Sequence, residues 1–184
     1  MKKTTEKITI GKKKFDAELL WTEKKDRRKL KKLYKAWLEL KNGLKEFDSR
    51  GPNLPEGISE GAFSLEFNCP RVLDVRGTAA SYDCYDTKTH ERIQIKATTI
   101  RYDLTSFGPD SVWDTLYLLD FYRDGKFDGK YDVYKIPNDL IYNHQISKTQ
   151  TFRDQQKQKR RPRFGIKKSI IEVHDIKPTK TCQI

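Results

Sequence analysis

Ser81-Tyr82-Asp83-Cys84-Tyr85, a polar turn from Asp86 to His90, and Arg92-Ile93-Gln94-Ile95-Lys96-Ala97 decide how this chain reads. The second flank alternates apolar and polar side chains, the period of two that marks a half-buried strand. The stretch predicts a β-hairpin. Ile93, Ile95 and Ala97 face one side; Gln94 and Lys96 face the other, next to Asp83 on the neighbouring strand. Such a polar group suits metal-dependent phosphodiester hydrolysis. The Asp offers Mg²⁺ a hard oxygen, the second position offers another, and the Lys sits near the attacking water or the scissile phosphate. The same spacing also describes an ordinary exposed strand face, where Gln and Lys are common.

Outward from the hairpin, apolar residues from Thr22 to Phe47 (Leu30, Leu33, Tyr34, Trp37, Leu40, Leu44, Phe47) recur at three and four, which predicts an amphipathic helix. Asn42-Gly43 either ends it early or is tolerated within it. After a Pro/Gly loop over 48–57, Pro55 suits the first position of a short helix through Glu60, Phe63 and Phe67, stopped by Asn68 and Pro70. Strands are expected at Val72 to Val75, Thr78 to Tyr85, Arg92 to Ile100, Asp114 to Tyr122 and Tyr131 to Ile136. Asn138 or Asp139 caps a further helix reaching towards Lys159, and Phe164 to Val173 mixes a loop with a β-rich run. Strands grouped between helices predict α/β or α+β in one domain. Trp113, Tyr117 and Phe121 read as core packing rather than a base-stacking platform, and Cys84 as a small core residue rather than a nucleophile.

The 184 residues carry 38 Lys plus Arg against 26 Asp plus Glu, a net charge of +12. That excess points to a polyanion, nucleic acid before a membrane surface. The 21 aromatic residues argue against wholesale disorder. No apolar stretch approaches the roughly 20 residues of a transmembrane helix, and no apolar segment follows the N-terminal lysines as a secretory signal requires. Three cysteines without a CxxC pair fit neither a disulfide framework nor a zinc site, so the expected location is a reducing cytoplasm. The charge is unevenly spread: +9 over residues 1–50, −5 over 51–147 and +8 over 148–184. Carboxylates repel phosphate, so an acidic middle suits a protein that brings a divalent cation to DNA; solvated turn and helix positions are the plainer explanation for most of them.

The hairpin resembles the PD-(D/E)xK nuclease core, with Gln94 in the usual acidic position. Ser59-Glu60-Gly61, the two hairpin flanks, Asp103-Leu104-Thr105-Ser106-Phe107-Gly108-Pro109 and Leu118-Leu119-Asp120-Phe121-Tyr122 together resemble the Bsp6I type II restriction endonuclease family, over about residues 30 to 170. The resemblance implies an α/β restriction-endonuclease-like core, a central mixed sheet flanked by helices. It implies one nuclease domain over 1–184, with a basic N-terminal helical part (1–50), a catalytic core (51–147) and a basic C-terminal DNA-contacting part (148–184). It implies Asp83 as metal ligand, Gln94 as the second ligand position, Lys96 as catalytic lysine and Glu60 as an acidic supplement near the Mg²⁺ cofactor. For Glu60, a capping or helix-dipole role is the competing reading.

By the same resemblance the target is double-stranded DNA at GCNGC, cut by a cytoplasmic homodimer, with a companion DNA methyltransferase in the same system and no stable complex between them. A twofold target asks for a twofold dimer, and Arg bidentate to guanine is the commonest major-groove contact. The candidate readers are Arg153, Arg160, Arg161, Arg163, Lys167 and Lys168; contact with phosphate alone is the plainer alternative for each. Lys12, Lys13, Lys14, Lys24 and Lys25 suit backbone contacts or a solvated surface. The other class of function is a non-catalytic basic nucleic-acid-binding protein that uses its basic ends only.

Overall fold

A β-hairpin opens the chain: β1 (Lys2–Ile10) pairs with β2 (Lys13–Trp21) across a turn where Gly11 takes φ of 62°. Glycine adopts that left-handed φ without strain. This computed structural model describes every residue except Arg50, Ala79 and Ala80. The hairpin corrects the helical assignment of the N-terminal part for residues 2–21; the helix of that part occupies 24–47. The hairpin's lysines are exposed, so the composition reads as solvated surface, while Ile8, Ala17 and Leu19 point inward and are buried.

The predicted long helix forms as a 3₁₀ turn (Lys24–Asp26), α1 (Arg27–Gly43) and a second 3₁₀ turn (Leu44–Phe47). Gly43 keeps helical angles, so Asn42-Gly43 is tolerated within the helix. The buried face of α1 is Leu30, Tyr34, Trp37 and, unexpectedly, Lys41; Leu33, Leu40 and Phe47 of the expected stripe are exposed. Helix α2 (Glu56–Phe67) starts directly after Pro55 and ends at Asn68, whose φ of 54° turns the chain out of the helix.

Next come β3 (Arg71–Val75), β4 (Cys84–Tyr85), β5 (Arg92–Thr98), β6 (Thr105–Ser106), β7 (Thr115–Asp120) and β8 (Lys130–Ile136). They are followed by α3 (Asn138–Tyr142), β9 (Gln145–Ser147), β10 (Gln150–Thr151), α4 (Phe152–Lys157), β11 (Arg163–Phe164) and β12 (Lys180–Gln183). Eight strands form one mixed sheet in the order β1-β2-β3-β4-β5-β7-β8-β12, antiparallel except for the β5–β7 pair. Helices α1 and α2 pack on one face through Leu30, Tyr34, Trp37, Ile58 and Phe63. The other face holds Leu116 and Leu118 with Phe107, Trp113, Phe152 and Phe164. The architecture is therefore mixed α/β, with a large central sheet and a few helices. No helix among the described residues is long and apolar enough to cross a membrane.

Three expected elements differ. The strand at Thr78 to Tyr85 shrinks to β4, with Ala79 and Ala80 outside the described residues. The helix from Asn138 towards Lys159 is two short helices, because Thr151 and Asp154 build a capping box that starts α4 afresh. The run from Phe164 to Val173 supplies only the end of β11, then a π-helical turn (Lys167–Ile171) that buries Ile170 and Ile171.

Candidate active site

Asp83 is fixed from both sides. Its N–H donates to the Ile93 carbonyl (2.9 Å), and its carbonyl accepts from Val72 N–H (2.9 Å). Because β4 is only two residues long, the Ile95 N–H of β5 finds no backbone partner there and donates to Asp83 Oδ2 (2.6 Å). The Gln94 side-chain amide donates to the same oxygen. No donor among the described residues bonds Oδ1. Burial pushes the Asp83 carboxyl above its ordinary value, while the Ile95 N–H, Lys96 and Arg71 pull the other way.

A cleft of about 570 Å³ opens at this point, and Asp83, Glu60 and Lys96 all line it. Glu60 sits in the second turn of α2 rather than at its cap, and its Oε2 accepts from Arg71 Nε (2.6 Å). Burial and the nearby Asp83 charge push the Glu60 carboxyl up to about 7, against the opposing pull of Arg71. The Lys96 ammonium lies 5.2 Å from the centre of the Phe107 ring. Burial lowers its pKa; Asp83 and Glu60 oppose that, and Arg161 adds to it. Gln94 is 4% exposed and does not line the cleft. The parallel register sets Gln94 and Lys96 opposite Leu116 and Leu118, and Ile93 and Ile95 pack with α1 and α2, as the alternation predicts.

The C-terminal basic residues divide. Strand β11 pairs with β6, and Phe107 N–H donates to the Pro162 carbonyl (3.0 Å), which carries the exposed Arg161 and Arg163 to the Lys96 side of the sheet. Gly165 makes that docking possible: a Cβ there would lie 2.8 Å from the Asp103 carbonyl oxygen. Arg153 lies over Tyr142, Lys168 over Tyr102, and Arg160 donates to the Gln150 side chain (3.0 Å). Lys167 stands apart, since its ammonium pairs with the buried Asp120 at 2.5 Å. Arg71 and Lys41 were not legible as site residues: one opens a strand, the other reads as a solvated helix lysine, and only tertiary packing turns them inward. Cys69, Cys84 and Cys182 are buried free thiols, and burial pushes Cys84 well up, which is inert chemistry for a nucleophile.

Among the described residues no group of three or more His, Cys, Asp or Glu could hold a metal ion. Four carboxylates line the cleft, Glu56, Glu60, Asp83 and Asp103, and they offer hard oxygens only. That set suits a magnesium-like ion, which keeps several waters and takes further oxygens from a substrate phosphate. It lacks the Cys and His ligands on which structural zinc sites draw.

Asp83, Glu60 and Lys96 thus line one cleft, with arginines on the Lys96 side of the sheet. Residues 22–173 match the family model described as "Bsp6I restriction endonuclease". The chain is 39% identical over 160 residues to the protein named "Type II restriction enzyme Bsp6I" of Bacillus sp. (strain RFL6), covering 83% of this chain and 85% of that protein. No solved structure was found to match. These matches define the class of the protein as a type II restriction endonuclease. The chain is a member of the Bsp6I restriction endonuclease family.

Proposed function

We propose that the chain is a Mg²⁺-dependent type II restriction endonuclease that hydrolyses double-stranded DNA at GCNGC, with its catalytic centre in the cleft of Asp83, Glu60 and Lys96. The observation that carries this reading is the Asp83 carboxylate, held through one oxygen by β5 while the other has no donor among the described residues, in the same cleft as Lys96. The PD-(D/E)xK core is the architecture it implies: an acidic residue beside β4, with Gln94 and Lys96 two apart on the next strand.

Asp83 and Glu60 would hold the ion, which when bound supplies an electrophile for the phosphoryl oxygens and lowers the pKa of water. Lys96, at the same cleft, places positive charge against the developing negative charge of the phosphate. Gln94 acts through Asp83: its amide N–H fixes Oδ2 and does not occupy Oδ1. Arg71 restrains Glu60 and offsets its charge. Arg161 and Arg163, on the strand segment docked beside Lys96, are the readers nearest the cut, with Arg153, Arg160 and Lys168 as phosphate contacts. Lys167 leaves the set because Asp120 holds it. A twofold target calls for a homodimer. One nuclease domain accounts for a sheet whose two edge strands come from the two ends of the chain, and a companion methyltransferase would protect host sites.

Cutting plasmid DNA with the purified protein and Mg²⁺, then sequencing the new ends, tests both site and stagger. Ends that fall within GCNGC support the reading. Ends at scattered sequences would overturn the specificity, and binding without cutting would favour the non-catalytic basic binder.

A further inference from the structure

The most unusual charge in the molecule is Lys41, on the last turn of α1. It is only 9% exposed and takes a core position next to Trp37. Its ammonium donates to the Thr99 carbonyl (3.2 Å) and lies 4.0 Å from the Phe127 ring centre and 4.9 Å from that of Trp37. No carboxylate among the described residues pairs with it. The loop after α1 closes on its stem so tightly that a Cβ on Gly51 would lie 2.8 Å from Lys41 Cγ.

Lys41 nevertheless lines the same cleft as Asp83, Glu60 and Lys96, and so does the exposed Lys45 one helical turn on. Burial lowers the Lys41 pKa, and the like charge of Lys45 lowers it further. Two cations one turn apart destabilise a helix slightly, and a desolvated ammonium without an anion is unfavourable. A carbonyl and two aromatic faces soften that penalty but do not neutralise the charge.

We propose that Lys41, with Lys45 beside it, forms a second phosphate site in the catalytic cleft, which takes a backbone phosphodiester of the strand being cut. The proposal rests on the nuclease reading and adds a contact to it. Thr99, which orients the Lys41 ammonium, lies three residues beyond Lys96, just past the end of β5, a stretch that spans at most about 10 Å. The two lysines therefore address different phosphates of one strand. With the anion bound, the charge is paired, and the strand is held along the cleft on both sides of the cut.

The test is a salt titration of duplex binding in EDTA, where nothing is cut, using a duplex oligonucleotide containing GCNGC. Every phosphate that a side chain no longer neutralises makes the slope of log K against log[salt] shallower by about 0.9. Lys41→Met is expected to reduce the slope by that amount and Lys41→Arg to retain it. Lys45→Met lies on the exposed surface, leaves the fold intact, and is expected to reduce the slope as well. Should Lys41→Met fail to fold, the Lys45→Met slope decides. Slopes equal to wild type in every folded variant would overturn the proposal, whether or not the wild type cuts with Mg²⁺. A wild type that never cuts would instead overturn the nuclease reading.

Discussion

At the scale of single residues, the proposed centre turns on which oxygen of Asp83 is occupied. Gln94 and the Ile95 N–H both use Oδ2, so a carboxylate in place of the amide would meet a like charge at hydrogen-bond range. Gln94→Glu is therefore expected to weaken Mn²⁺ binding, read by titration, and to slow cleavage by roughly 10- to 100-fold, as loss of an orienting partner does. Tighter binding and faster cutting would make Gln94 a ligand instead.

Glu60 carries a second prediction. Its carboxyl sits at about 7 in the fold against 4.5 for the free group, because burial and Asp83 outweigh Arg71. Between those values the folded state binds more protons than the unfolded one, so stability falls as pH rises from about 4.5 through 7. The whole effect amounts to roughly 3 kcal/mol at most. Thermal melts in EDTA are expected to show that decline, and Glu60→Gln to flatten it. An identical pH profile in the variant would remove Glu60 as its source.

At the scale of elements, the same glycine substitution separates tight from open positions. Gly165→Ala drives a Cβ into the Asp103 carbonyl, a backbone atom that cannot swing aside, and overpacking of this kind costs roughly 1–3 kcal/mol. It is expected to loosen β11 from β6 and, with it, the placement of Arg161 and Arg163. The readouts are a lower melting temperature and poorer discrimination between cognate and altered sites. Gly43→Ala meets nothing within 4 Å in a helical conformation and is expected to stabilise by up to about 1 kcal/mol, with cleavage unchanged.

Legibility in the sequence follows the same division between local and tertiary causes. The β5 alternation and the periodicity of α1 and α2 were readable, because one buried face leaves a pattern. The hairpin of β1 and β2 was hidden by lysines on its outer face. Strand β12 is four residues of mixed character that only β8 makes a strand. Of the residues named from the sequence, Asp83, Glu60 and Lys96 line one cleft, and Gln94 reaches it only through its bond to Asp83. Arg71 and Lys41 could not be named that way: whether a cation points outward or into a cleft depends on elements distant in the chain, and Thr99 and Phe127 are 58 and 86 residues from Lys41.

At the scale of the whole molecule, the net charge of +12 resolves into an arrangement. The acidic middle carries Asp83 and Glu60, which face the cleft, while Lys41 and Lys45 from the basic N-terminal part and Arg161 from the basic C-terminal part flank it. Basic groups from both ends of the chain thus flank a small acidic centre, the arrangement that the proposed cation-dependent cutting of a polyanion calls for. The most direct test is cleavage of plasmid DNA by wild type and Asp83→Ala, each with Mg²⁺ and with EDTA, alongside duplex binding in EDTA. Discrete fragments are expected from wild type with Mg²⁺ alone, and binding without fragments from Asp83→Ala. An Asp83→Ala protein that cuts at the wild-type rate would contradict the account.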